Sequence, residues 1–149
     1  YVLRQLQRAA SRLASGFRIS GQHSQLFWRA EGAARHIRPD ILVRYLGPSG
    51  RPETVILDTK WKVPASAHPD DADLKQMYSY NLQFGAAQSY LLYPRVDDRN
   101  NRSGQFEAPH HDPRLKHACG MWFIDLFTAG KLRGDMGEEI LSRLGALGR

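Results

Sequence analysis

Ile37-Arg38-Pro39-Asp40-Ile41 and Leu57-Asp58-Thr59-Lys60-Trp61-Lys62 are the stretches on which the fold turns. They belong to two apolar, β-branched runs, Ile37 to Leu46 and Thr54 to Val63, separated by Gly47-Pro48-Ser49-Gly50-Arg51-Pro52. Gly and Pro between two such runs read as a hairpin loop, so the strands are expected to be adjacent and antiparallel. Because strand side chains alternate, Asp58 and Lys60 are expected on one face. Leu57, Thr59 and Trp61 then leave the other, towards apolar packing. Antiparallel pairing lets Asp40 approach the Asp58 face, and two carboxylates within reach of one hard cation suit Mg²⁺.

Downstream, Asp70, Asp71 and Asp73 put negative charge where a helix amino terminus prefers it, and Gly85 is a plausible terminator. The apolar spacing assigns the buried face of that helix to Leu74, Met77, Tyr78 and Leu82. Gln76 and Tyr80, four apart, share a neighbouring face from which they can point at the strand edge. Ser89 to Tyr93 reads as a strand ended by Pro94, Met121 to Thr128 as a further strand, and Glu138 to Leu147 as a closing helix. Residues 95–118 are polar and longer than most connections, and are expected as a surface insertion or loop. Ahead of the hairpin, Val2, Leu6, Ala9 and Leu13 recur at helical spacing, with Arg4, Arg8 and Arg12 as a second stripe. The stretch from Gly21 to Gly32 lacks a sustained period, and Leu26-Phe27-Trp28 fits a short strand or a packed turn. The order is α/β, a mixed central sheet flanked by helices in a single domain over 1–149.

Composition narrows the partners. Twenty-one Lys and Arg against 15 Asp and Glu leave a net charge of +6, which favours a polyanion. Cys119 is the lone cysteine, so neither an internal disulfide nor a four-cysteine zinc site can form, and a reducing, cytoplasmic compartment is expected. No apolar run approaches a membrane span: Met121-Trp122-Phe123-Ile124 meets Asp125 at once. The chain begins at Tyr1 and not Met, which reads as a fragment of a longer protein.

Phosphodiester hydrolysis needs a water made nucleophilic and a leaving oxygen whose charge is neutralised, and carboxylate-held metal ions do both. Beside them, Lys60 either orients or helps deprotonate the water, or stabilises charge growing on the phosphoryl oxygens. The motif Asp-x-Lys is weak alone, since an exposed ion pair two residues apart is common. Joined to Pro39-Asp40 ahead and to Gln76-x-x-x-Tyr80 behind, it is fairly specific.

Pro39-Asp40 followed by Asp58-x-Lys60 resembles the signature of the PD-(D/E)xK nuclease superfamily. More narrowly, the two opening stretches, Asp73-Leu74-x-Gln76-Met77-x-x-Tyr80 and Leu91-Leu92-Tyr93-Pro94 look like the McrC nuclease subunit family of 5-methylcytosine-specific restriction systems. The similarity runs from Ile37 to Pro94, with Ile124-Asp125-Leu126 as a further fit. The resemblance implies a restriction-endonuclease-like fold and a Mg²⁺-dependent DNA endonuclease in which Mn²⁺ can substitute. It implies recruitment by a separate GTP-hydrolysing McrB-like motor subunit acting on methylated DNA; dimerisation for double-strand cleavage stays an open alternative. It carries Asp40 and Asp58 over as metal ligands, with Lys60, Gln76 and Tyr80 completing the catalytic set. Members often add an acid from the first helix. Val2 to Leu13 holds none and Glu31 is a poorly placed substitute, so that position is unfilled.

Other classes stay open. A catalytically silent adaptor would use the basic surface to hold DNA or a motor partner, and the same metal centre could act on RNA. His110, His111, Asp112, His117 and Cys119 match no standard closed zinc site, and Cys119 reads as a small buried residue. No phosphate-binding G-x-x-x-x-G-K-[ST] loop occurs, so the chain itself is not expected to hydrolyse GTP.

Overall fold

Val2–Leu13 forms helix α1, burying Val2, Gln5, Leu6 and Ala9 and leaving Arg4, Arg8 and Arg12 exposed; Leu13, expected on the apolar stripe, is 51% exposed in the last turn. The computed structural model describes residues 1–13, 16–108, 110, 112 and 115–147. After α1 come β1 (Arg18–Gly21), β2 (Gln25–Ala30), β3 (Ala33–Ile37), β4 (Ile41–Leu46), β5 (Pro52–Thr59) and helix α2 (Asp71–Phe84). Then follow β6 (Gln88–Pro94), β7 (Arg102–Gln105), β8 (Ala118–Ile124), β9 (Phe127–Thr128), β10 (Lys131–Leu132) and helix α3 (Met136–Leu147). Leu147 lies in α3, but its side chain is outside the described residues, as is His111.

The central sheet has six strands in the order β1-β4-β5-β6-β8-β7. β4 runs antiparallel to β1 and β5, β6 runs parallel to β5 and β8, and β7 pairs antiparallel with β8. β5, α2 and β6 thus form a parallel crossover unit, which requires a helix-length connection. This mixed α/β arrangement is compatible with a restriction-endonuclease-like fold.

Both sheet faces are covered, so neighbouring residues on one strand enter different cores. Val43, Leu57 and Leu92 pack with α1 and α3, whereas Leu42, Ile56 and Leu91 pack with α2. A strand buried on both sides reads as a continuous apolar run, as Val55-Ile56-Leu57 and Tyr90-Leu91-Leu92-Tyr93 do. Helix α2 ends at Gly85, whose φ of 64° is left-handed and inexpensive only for glycine.

Several sequence expectations shift. The strand expected over Ile37 to Leu46 divides: β3 ends at Ile37 and β4 begins at Ile41. Pro39 offers no N–H to a ladder and restricts Arg38 to extended geometry, so the chain turns there. Leu26-Phe27-Trp28 lies in β2, which pairs with β3 as a separate two-stranded sheet. The strand expected to reach Val63 ends at Thr59, and Trp61, expected towards apolar packing, is 65% exposed because it lies beyond the covered sheet. The buried face of α2 is rotated. Asp73, Met77, Tyr80 and Asn81 are buried while Leu82 is 45% exposed, because that helix turns polar groups inward. Within 95–118, β7 adds an edge strand whose residues Arg-Ser-Gly-Gln are all exposed and therefore show no apolar period.

Helices α1 and α3 cross where Gly137 meets the α1 backbone: a Cβ there would run into the Gln5 carbonyl and the Leu6 amide. Gly137→Ala is expected to push the helices apart and destabilise by about 1–3 kcal/mol, read as a lower urea midpoint at unchanged slope.

Candidate functional site

The β4–β5 register pairs Ile41 with Leu57 and Leu42 with Ile56, so its next step sets Asp40 opposite Asp58. Directly opposed residues of an antiparallel ladder share a face. Leu42 and Ile56 face α2, and Asp40 and Asp58, each two residues further along, therefore do the same. Asp40 is held by β5: its Oδ2 accepts from the Thr59 amide at 2.9 Å and from Thr59 Oγ1 at 2.7 Å.

Lys60 extends the parallel ladder past the end of β5, its amide donating to the Leu92 carbonyl at 2.8 Å. The ammonium spends its three N–H groups on three acceptors. Lys60 Nζ lies 2.7 Å from Asp58 Oδ2, 2.9 Å from Asp73 Oδ1 and 3.1 Å from Gln76 Oε1. The chain of bonds continues from Gln76 Nε2 to Tyr80 Oη at 2.9 Å, and Tyr80 Oη donates to the Arg38 carbonyl at 3.2 Å. All five residues singled out in the sequence, Asp40, Asp58, Lys60, Gln76 and Tyr80, are thus drawn together where β5 meets α2.

Asp73 and Lys62 join them without having been singled out. Lys62 Nζ contacts Asp70 Oδ2 at 2.6 Å and Asp73 Oδ2 at 3.1 Å, and Tyr93 Oη reaches Asp73 Oδ2 at 3.5 Å. In the sequence, Asp73 reads as one of several acids favouring a helix amino terminus. Its spacing of three and seven residues from Gln76 and Tyr80, which puts all three on one helix face, was the available signal. Asp70, at the α2 N-cap, makes no side-chain capping bond, since its carboxylate is turned to Lys62.

Four carboxylates, Asp40, Asp58, Asp70 and Asp73, gather about the Lys60 and Lys62 ammonium groups, and burial acts on the inner ones. Burial pushes the Asp58 carboxyl up, the Lys60 ion pair offsets part of the shift, and Asp40 and Asp73 add to it. Burial alone would pull Lys60 down, but Asp58 and Asp73 outweigh it and hold the ammonium protonated. Burial likewise acts to raise Asp73, yet Lys60 and Lys62 leave it below the usual carboxylate range. Tyr80 is pushed up, chiefly by burial, with Asp58 and Asp40 contributing.

Among the described residues no group of three or more His, Cys, Asp or Glu side chains is arranged around a metal position. Lys60 stands between Asp58 and Asp73, which leaves Asp40 and Asp58 as the carboxylate pair. Mg²⁺ commonly takes one or two carboxylates and fills its other positions with water and phosphate oxygens, so a two-carboxylate donor set suits it. Burial chiefly raises Asp58, with Asp40 and Asp73 adding to it, and a divalent cation beside the carboxylate would act against both. Helix α1 contributes no acid, and Glu31 is exposed in the turn between β2 and β3.

A mixed α/β domain that presents two facing aspartates and a caged lysine at the end of a central strand is compatible with the restriction-endonuclease-like class. Over residues 1–94, more than half of the chain and including every residue of the site, the sequence matches the family described as McrBC 5-methylcytosine restriction system component. The chain belongs to that family, which places it within the McrBC restriction system. No curated protein matches it. Among the described residues, no helix is long and apolar enough to cross a membrane.

Removing the Lys60 ammonium leaves Asp58 and Asp73 facing each other without it. Lys60→Ala is expected to cost about 3 kcal/mol at pH 7, measured by urea unfolding. Asp58 binds a proton more tightly folded than unfolded, so its contribution to stability is present below the ordinary value of 3.8 and fades as pH climbs through the raised one. The loss in Lys60→Ala should therefore shrink towards acid pH, where a protonated Asp58 needs no counter-ion.

Proposed function

We propose that this chain is the McrC-like nuclease component of the restriction system, a Mg²⁺-dependent endodeoxyribonuclease of the PD-(D/E)xK type. The reading rests on the β4–β5 register, which, carried one step past the Ile41–Leu57 pair, puts Asp40 opposite Asp58, with the Lys60 ammonium 2.7 Å from Asp58. In this reading Asp40 and Asp58 hold the metal, Mn²⁺ can replace Mg²⁺, and a GTP-hydrolysing McrB-like motor subunit delivers the DNA. Held there, Mg²⁺ supplies an acidified water and neutralises charge on the leaving oxygen.

The protein's own groups divide the remaining work. Lys60, kept protonated by two carboxylates, suits the stabilisation of charge growing on the phosphoryl oxygens and not proton abstraction. Asp73 is a positioning residue: together with Gln76 it fixes the ammonium against Asp58. Tyr80 ties that bond chain to the Arg38 carbonyl, two residues before Asp40, and so couples the lysine to the metal-binding turn.

The test is plasmid nicking with Mg²⁺ or Mn²⁺, with and without the motor subunit, alongside thermal melting. Mg²⁺ at about 100 times its Kd should stabilise the parent by roughly 2.7 kcal/mol and leave the melting point of Asp58→Asn unmoved. Lys60→Met should keep the metal-induced shift and cleave about 10²- to 10³-fold more slowly. A parent that nicks DNA in neither arrangement, or an Asp58→Asn variant that cuts at the parental rate, defeats the assignment.

A further inference from the structure

Apart from Ile37 at its base, the β2–β3 hairpin contributes nothing to either hydrophobic core. Every residue of its two strands is exposed or half-exposed, and it forms a sheet of its own. A lone two-stranded hairpin is marginal in water, so its base must be secured elsewhere. On the β2 side, Gln83 Nε2 of α2 donates to the Leu26 carbonyl at 3.2 Å, and just ahead of the strand the His23 ring meets Phe84 edge-on at 5.9 Å. On the β3 side, Ile37 packs against the α2 core and Arg38 receives the Tyr80 hydroxyl. The base is therefore built into the candidate site, while the far end projects from it.

What projects is aromatic and basic. Phe27 and Trp28 are 52% and 50% exposed, two large adjacent rings on an element that buries almost nothing. The register shifts between Leu26 and Trp28, leaving Phe27 with no partner across the ladder. Such a bulge re-aims side chains. Trp28 is opposed by Arg35, and Arg29, Arg35 and Arg38 are all exposed, against Glu31 as the single acid between Gln22 and Pro39. Exposed rings interleaved with arginines fit stacking on bases with phosphates held alongside. Arg35 precedes Asp40 by five residues, a chain reach of at most about 17 Å. That length corresponds to roughly five base steps of DNA at 3.4 Å each.

We propose that the β2–β3 hairpin is a DNA-contacting arm. Phe27 and Trp28 stack on bases near the phosphate to be cut, and Arg29, Arg35 and Arg38 hold the flanking phosphates. This deepens the nuclease reading and rests on it for the location of that phosphate. The positive balance of the hairpin and its continuity with the Asp40 turn favour nucleic acid over a protein partner.

The experiment measures binding of fluorescein-labelled oligonucleotides, single-stranded and duplex, by anisotropy in EDTA, so that the result does not depend on metal chemistry. Phe27→Ala and Trp28→Ala should each weaken single-strand binding by about 5- to 150-fold while retaining the parental circular dichroism and melting point. In a Trp61→Phe background, single-stranded DNA should quench the tryptophan emission, and Trp28→Ala should abolish that quenching. Arg35→Gln should lower the slope of log affinity against log salt by roughly 0.7 for a single strand or 0.9 for a duplex. Unchanged DNA affinity and absent quenching in the folded variants overturn the proposal, as does a loss confined to binding of the motor subunit. If the variants lose DNA while the parent shows neither a Mg²⁺-induced melting shift nor nicking, the arm stands and the nuclease reading falls.

Discussion

The Lys60 ammonium, clasped between Asp58 on β5 and Asp73 on α2, is the contact on which the geometry of the site depends. It joins the central strand to the helix that follows it, at the one place along that crossover where both elements turn charge inward. Half-buried charges of this kind are tolerated only when each finds partners, and here the ammonium has three. Because Gln76 and Tyr80 continue the bond chain to the Arg38 carbonyl, the lysine is also coupled to the turn that carries Asp40. The chain therefore fixes an acid from β5, an acid from the turn before β4 and a cation in one frame.

The excess of carboxylates over ammonium groups makes this frame electrostatically incomplete by itself. A buried Asp58 with a raised pKa is a group that gains from an added cation, while Lys60 is held in its charged form by the same surroundings. The two effects differ in origin: burial chiefly raises Asp58, whereas the neighbouring carboxylates raise Lys60 against burial. With its pKa raised, an ionised Asp58 costs stability at neutral pH.

Much of this was legible before any coordinates. The α1 boundaries, the antiparallel β4–β5 pair, the Gly85 terminator and the mixed α/β order follow from apolar spacing, Gly and Pro placement and the apolar β-branched runs. The convergence of Asp40, Asp58, Lys60, Gln76 and Tyr80 follows from strand alternation and helical spacing once the hairpin is assumed. What escaped has no local signature. β7 is polar and exposed throughout, β1 is four residues long, and the break at Pro39 lies inside a run that otherwise reads as one strand. The rotation of α2 was hidden because its inward face carries Asp73 and Asn81, which hydropathy assigns to solvent.

The amino-acid sequence by itself determined the periodicities, the turns and which chemical groups were available, because these depend on residues within a few positions of one another. Tertiary structure alone decided that Asp73 faces Lys60, that Trp61 is left in solvent and that the Phe27–Trp28 hairpin projects from the base of the site. Those outcomes depend on how α2 docks against the sheet and where β4 begins. Such choices are set by the sum of contacts made by residues far apart in the chain, and no window of sequence contains both partners.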